Sequence, residues 1–282
     1  MPQEHLDQNH PQDVINLSRY PISDLGSQAF RDFTARCRET LEVQQYVVLD
    51  NFISPDAKDL AIQHALKALP KAHHNAAKRN CYLHRQGDPA APDDHPRNIF
   101  LDASTRMIAA DLLPEYSPLK SLYYWDNMRA MVAAIVGVPV LYNSADLLQP
   151  VNVLCYREGD RSAWHFDSDN AFTMTLMLQA PLQGGAFQMI PNIRGDDDQR
   201  YEDVGNAVLG DHEKAVEVAR QEGALCIFRG CNSLHRVTPV KGSRMRIMAV
   251  FVYENEPGVI GDPEVNATVY GRRTEARPGA SV

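Results

Sequence analysis

Two short stretches, far apart in the chain, set the strongest condition on how it can fold: Ser162-Ala-Trp-His-Phe-Asp-Ser168 and Ser233-Leu-His-Arg-Val-Thr-Pro239. His165 and Asp167 are two residues apart. On an extended segment side chains alternate, so both project from one face. An imidazole and a carboxylate aimed at one point, joined there by His235, make the two-histidine, one-carboxylate set. That set binds Fe(II) on one face of an octahedron and leaves three positions open. A lone His-x-Asp also arises as a surface histidine bonded to a neighbouring aspartate, so the surroundings decide.

Those surroundings are rich in strand signals. Apolar or alternating runs at 138–142, 151–156, 172–179, 185–190, 223–228 and 246–253 are separated by turn residues such as Pro181, Gly184-Gly185, Pro239 and Gly242. Short strands punctuated in this way predict a mainly β fold, a double-sheet jelly roll with flanking helices, rather than an α/β sheet. A jelly roll has an open mouth where inward side chains of several strands converge. His165 and Asp167 fall just before one strand and His235 after another. Arg244 and Arg246 share strand parity at the start of the last one. A guanidinium presents a rigid fork that matches a carboxylate in two places. Arg246 directly precedes the unbroken apolar run and is the favoured inward residue, leaving Arg244 for a surface ion pair.

At these positions the chain resembles the Fe(II)- and 2-oxoglutarate-dependent dioxygenases. The match comprises His165-x-Asp167, His235, and Arg246 or Arg244. It extends to Tyr156-Arg-Glu-Gly-Asp-Arg-Ser-Ala-Trp-His-Phe-Asp167, Leu178-Gln-Ala-Pro, Gly184-Gly185 and Leu234-His-Arg-Val-Thr-Pro-Val240. It is specific from about residue 141 to 253 and looser outside. The wording is most similar to the subgroup acting on free amino acids, which contains hydroxylases and radical halogenases. The resemblance implies a cupin-like double-stranded β-helix with Fe(II) on His165, Asp167 and His235. It implies 2-oxoglutarate held by its keto acid end and, distally, by an arginine, with Tyr156 hydrogen-bonding the cosubstrate. Dioxygen is the oxidant, succinate and CO2 are coproducts, and an unactivated C–H of a free amino acid or similar small polar molecule is hydroxylated. In halogenating members a small residue replaces the carboxylate and the vacancy admits halide; Asp167 fills it, so hydroxylation is the expected outcome. The same iron site can give desaturation or ring closure. A non-catalytic, cupin-like metal-binding protein is the reading from another class, and it has no use for an inward arginine.

The rest of the chain is organised around this core. With 282 residues and 44% apolar content it can bury one sizeable domain. The expected division is a flexible lead-in over 1–25 and a single domain over 26–282. Within it, 26–137 forms a helical flank and lid loop, 138–253 the jelly roll, and 254–282 a tail whose 270–273 stretch can fold back across the mouth. Helical spacing predicts helices over 27–41, over 56–69 after Ser54-Pro55, and over 121–136 up to Gly137, with a strand at 46–53. The polar, proline-rich stretch 71–96 carries His73, His74, His84 and His95 at spacings that fit no helix face. It reads as an active-site lid rather than a second metal site. From it Arg79 and Arg97 can meet a substrate carboxylate, and Trp164 is a further candidate contact. The acidic insert 194–200 reads as a solvated loop. The stretch 203–221 reads as a helical excursion outside the sheet, with His212 exposed.

A net charge of −8 argues against a nucleic-acid partner, which needs a basic face. No apolar run approaches the ~18 residues of a membrane span, and no secretory leader is visible. Five cysteines without framework spacing point to a reduced, cytoplasmic chain. The expected partner is a small molecule.

Overall fold

The computed structural model describes residues 10–167, 171–195, 197–210 and 212–271. Its strands are β1 (Tyr46–Leu49), β2 (His73–Asn75), β3 (Thr105–Ile108), β4 (Tyr142–Asn143), β5 (Val151–Tyr156), β6 (Ser162–His165) and β7 (Ala171–Gln179). They continue as β8 (Gln183–Gly184), β9 (Phe187–Ile190), β10 (Val216–Glu217), β11 (Leu225–Phe228), β12 (Leu234–Val237), β13 (Val240–Lys241) and β14 (Arg246–Glu254). A major sheet runs β1-β11-β7-β14-β5-β3-β2, with β4 also on β14, and a minor sheet runs β10-β9-β12-β6. All the pairings are antiparallel. This is the mainly β, two-sheet architecture expected from the turn spacing.

The period of two divides the major sheet into two faces. Val151, Val153 and Cys155 of β5, Met174, Leu176 and Leu178 of β7, and Ile247, Ala249, Phe251 and Tyr253 of β14 enter one large core. The other face carries Tyr156, Thr173, Thr175, Arg246 and Met248, all buried and turned toward the minor sheet. The first face is covered by helices α1 (Pro11–Val14), α2 (Gln28–Gln44), α3 (Pro55–Ala68), α4 (Pro118–Tyr123) and α5 (Asp126–Val136). On α2, Phe30, Phe33, Cys37 and Leu41 form the buried stripe, and each fully buried side chain of this size contributes roughly 1.5–3 kcal/mol. The Ser27 hydroxyl caps α2 by accepting from the Phe30 amide at 3.1 Å. Helix α6 (Tyr201–Leu209) follows the acidic insert, and α7 (Pro263–Tyr270) lies beside β2. Among the described residues no helix is long and apolar enough to cross a membrane.

Several expectations differ from what is observed. Residues 10–25 are not a flexible lead-in: Val14, Ile15, Tyr20 and Ile22 are core residues, and the Asn16 amide donates to Phe52 O at 3.0 Å. The single helix expected over 121–136 is two helices. The Tyr253 hydroxyl donates to the Tyr123 carbonyl at 2.6 Å, using the acceptor that a continuing helix would need, and Trp125 is extended. Ser54 precedes α3 without capping it; its hydroxyl donates to Asp13 O instead. The excursion over 203–221 is not wholly outside the sheet, because β10 pairs with β9. Arg194 is not solvated; it is buried, lies 4.1 Å over the Phe166 ring and donates to Cys231 O at 2.6 Å.

At the end of β14, Glu254 is buried facing Ser144 and Asp146. Burial, seconded by the Asp146 charge and only partly offset by the Ser144 hydroxyl, pushes its carboxyl up to about 7. A folded-state value above the unfolded one means that the contribution of Glu254 to stability is fully present below about pH 4.5 and is lost as pH rises through about 7. Solvent screening keeps the decline attributable to this residue below about 3 kcal/mol. Glu254→Gln should remove that part of the slope, read as thermal unfolding midpoints that no longer separate between about pH 5 and pH 8.

Candidate metal centre

The centre is built on one pair of strands. His165 on β6 and His235 on β12 are direct cross-strand partners, so their side chains leave the ladder on the same side, with ring centroids 4.2 Å apart. Asp167 follows β6, and its amide donates to the Gly230 carbonyl at 3.1 Å. A side chain at 230 would not fit: a Cβ there would fall 1.9 Å from Asp167 Oδ2. The absence of a side chain at Gly230 therefore makes the room in which the carboxylate turns to the histidines. Asp167 Oδ1 lies 3.5 Å from His235 Nε2 and 4.0 Å from His165 Nε2.

Each histidine is oriented through its other nitrogen. His165 Nδ1 donates to Ala163 O at 2.8 Å and His235 Nδ1 to Ser233 O at 2.9 Å. A carbonyl only accepts, so both rings carry the proton on Nδ1 and present the Nε2 lone pair to the centre. Burial, and then the neighbouring His235 imidazole, pull His165 well below the ordinary imidazole value. Burial opposes ionisation of Asp167, but His235, His165 and the Thr173 hydroxyl outweigh it and hold the carboxyl below the usual carboxylate range. A neutral imidazole and an ionised carboxylate are the states a divalent cation requires. Asp167 Oδ2 is buried with no hydrogen-bond partner, an orphan that a cation would satisfy. Phe187 and Phe228 pack on the His235 ring and keep this side dry. Among the described residues this is the cluster of metal-donor side chains with all donor atoms within 4.8 Å of one another. His73, His74, His84 and His95 do not assemble; His84 pairs with Glu264 at 2.9 Å and His95 packs on Tyr201.

A cavity of about 170 Å³ opens beside the three donors, between the two sheets. At one end stands Tyr156, with the Arg246 guanidinium 5.3 Å over its ring. Arg246 is fully buried: Nε donates to Gly185 O at 3.1 Å, Nη2 reaches only the Met248 sulfur, and Nη1 has no partner. A Cβ at Gly185 would fall 3.1 Å from Arg246 Cδ, so the Gly184-Gly185 turn also makes space for this arginine. Burial, and then a second guanidinium, Arg220, lower Arg246 to about 9. Arg244, of the same parity but before the strand, points out and pairs with Glu222 at 2.7 Å. Arg220 was missed in the sequence because it sits in the excursion. It enters the interior where Val218 N donates to Phe187 O at 2.9 Å, beyond the end of β10.

The candidate substrate residues separate. Arg79 is buried, lines the cavity and has an unpartnered Nε. Arg97 lies elsewhere, paired with Asp88 at 3.1 Å and stacked near Tyr82 and Tyr201, on a second cavity of about 520 Å³. Leu83 and Asp167 border both cavities. Trp164 alternates away from His165 into a separate apolar cluster, and its indole donates to His212 at 3.0 Å. Trp164 is thus packing, and His212 is its acceptor rather than a free surface residue. The tail folds back as expected as far as Tyr270, which with Val269 lines the inner cavity; 272–273 lie outside the described residues.

The family model described as Halogenase D matches residues 30–262. No curated protein sequence matches the chain. Among solved structures, the chain is similar to the non-heme alpha ketoglutarate dependent carbocyclase SnoK from nogalamycin biosynthesis, at 16% identity, TM-score 0.56, covering 88% of this chain and 92% of that one. It is similar to the epimerase SnoN in complex with Fe3+, alpha ketoglutarate and nogalamycin RO, at 14% identity, TM-score 0.56, covering 89% and 92%. A third is a prolyl hydroxylase from Trichoplax adhaerens in complex with a peptide fragment, at 13% identity, TM-score 0.51, covering 80% and 91%. At such identities the likeness establishes the fold.

Proposed function

The chain belongs to the Halogenase D family and has the fold of the Fe(II)- and 2-oxoglutarate-dependent oxygenases, and from that premise we propose a specific activity. It hydroxylates an unactivated C–H of a free amino acid or similar small polar molecule, with succinate and CO2 as coproducts. The observation that carries this reading is that two unmet electrostatic needs lie at one cavity, the first lining it and the second directly behind its Tyr156 and Met248. Three donors with an orphaned carboxylate oxygen await a cation, and a fully buried guanidinium with an unpartnered nitrogen awaits a carboxylate.

His165, Asp167 and His235 would hold Fe(II), and Arg246, beside Tyr156, the distal carboxylate of 2-oxoglutarate. When bound, the metal and cosubstrate supply the oxidising power, with dioxygen, that breaks the C–H bond. The chain orients and desolvates. The Nδ1 bonds to Ala163 and Ser233 fix the two rings, Phe187 and Phe228 exclude water, and Arg79 offers a guanidinium to a substrate carboxylate. The cavity, about 170 Å³, is below the ~300–1,000 Å³ of pockets that take drug-sized ligands, which favours small reactants. Five free cysteines support a reduced, cytoplasmic setting.

Hydroxylation is favoured over the halogenation in the family's name by Asp167, a ligand where halogenation needs a gap, and by Gly230, whose missing Cβ accommodates it. The test begins anaerobically. Fe(II) plus 2-oxoglutarate should give a weak visible charge-transfer band, and air with each of the twenty amino acids in turn should give succinate for the substrate. Intact protein without the band would sink the proposal. A product heavier by one oxygen atom supports hydroxylation; loss of two hydrogens identifies desaturation or ring closure from the same site. Arg79→Gln should raise the substrate KM by about 10- to 100-fold, the cost of a charged hydrogen bond, while leaving 2-oxoglutarate affinity unchanged. Steady-state kinetics with each reactant varied in turn reads both.

A further inference from the structure

We infer that Arg220 is a second cosubstrate-binding arginine, closing with Arg246 on the distal carboxylate of a dicarboxylate held at the metal. This rests on the reading above and adds a residue from outside the jelly-roll strands. Arg220 follows β10 and inserts its guanidinium between the sheets, 4.2 Å over the Phe187 ring. Nη1 donates to the Thr175 hydroxyl and reaches the Met248 sulfur at 3.8 Å, while Nε and Nη2 are buried with no partner. Arg246 Nη2 contacts the same sulfur at 3.3 Å, and its Nη1 is likewise unpartnered. Phe187, Thr175 and Met248 all line the inner cavity.

Two guanidiniums leaning on one thioether are an unstable arrangement by themselves. A thioether is a weak acceptor, and no ion pair to a described carboxylate neutralises either arginine. Burial is the largest influence on both, lowering the tendency of each to stay charged, and Arg220 lowers Arg246 further. Buried like charges with three free N–H-bearing nitrogens between them form a receptor for an anion. The cavity lined by their contact residues Phe187, Thr175 and Met248 is also lined by the three metal donors, so the anion that fits is the far end of a chelating dicarboxylate. The arrangement also sets a trade: the pair destabilises the protein alone and stabilises the complex.

The decisive experiment uses the full chain loaded with Ni(II), so that binding is measured without turnover. Titration calorimetry compares 2-oxoglutarate with 2-oxobutyrate, which keeps the chelating keto acid and lacks the distal carboxylate. Arg220→Gln should weaken 2-oxoglutarate about 10- to 100-fold and leave 2-oxobutyrate unchanged. Arg220→Lys, which keeps the charge but not the fork, should fall between. In low-phosphate buffer without ligand, Arg220→Gln should melt about 2–4 °C higher than the parent, where loss of a merely structural contact would melt lower. Parent protein that does not bind 2-oxoglutarate would overturn the activity itself. Parent that binds, with both variants binding equally or losing the two keto acids alike, would overturn only the role of Arg220.

Discussion

His235→Ala should abolish substrate-triggered succinate formation and weaken Fe(II) binding by at least ~100-fold, since removing even an outer partner of a ligand costs 10–100-fold. The effect is large because no other described residue is placed to replace the donor. His235 is buried, its ring is wedged against Phe187 and Phe228, and no other described histidine or cysteine has a donor atom within the cluster. Loss of the imidazole also removes the ring nitrogen nearest to Asp167 Oδ1, 3.5 Å away. Metal titration followed by the charge-transfer band reads the first effect and a succinate assay the second. Near-parental activity would remove residue 235 from the ligand set. The fold should survive, because His235 holds β12 to its neighbours by main-chain pairing with β6 and β9, which alanine keeps.

Arg246→Met should be the second largest. Truncating one member of a buried charge pair costs about 2–5 kcal/mol, or roughly 30-fold to several-thousand-fold in affinity. That loss should appear in 2-oxoglutarate binding to the metal-loaded protein and hardly at all in metal affinity. Methionine fills the volume of the arginine stem and removes a charge that has no counter-ion in the folded chain, so the variant should fold. Arg244→Met is the control. Its ion pair with Glu222 is on the surface, and such pairs are worth at most about 1 kcal/mol. If Arg244→Met loses the cosubstrate and Arg246→Met does not, the anchor has been assigned to the wrong residue.

Much of the scaffold could be read in advance where pattern and packing agree. The strands at 151–156 and 246–253 alternate core and cavity residues over several turns of the pleat, so neither could slip without exposing its apolar face. The convergence of His165, Asp167 and His235 was legible because a two-residue spacing on an extended segment has only one geometric outcome. That Arg246 turns inward and Arg244 makes a surface ion pair was legible too, since only one of them lies within the strand. What stayed hidden depends on partners remote in sequence. Tyr253 captures the Tyr123 carbonyl and splits a helix that its own spacing would have continued. Residues 10–25 look polar and mobile, yet Ile22 and Tyr20 find a core made by α2 and the strand-to-helix corner at Phe52. Arg220 looks like one more charged residue in a surface excursion, and only the pairing of β10 with β9 carries it inward.

Asp167 borders both cavities, which makes a single side chain a partition as well as a donor. On one side stands Arg79; on the other lie Arg97 and Arg194. Replacing the aspartate with a residue that has no side chain would open the wall between the two chambers beside His165 and His235. A small anion arriving through the outer chamber would then pass two cationic side chains on its way to the position given up by the carboxylate. In this scaffold one residue decides where the wall between the two chambers stands.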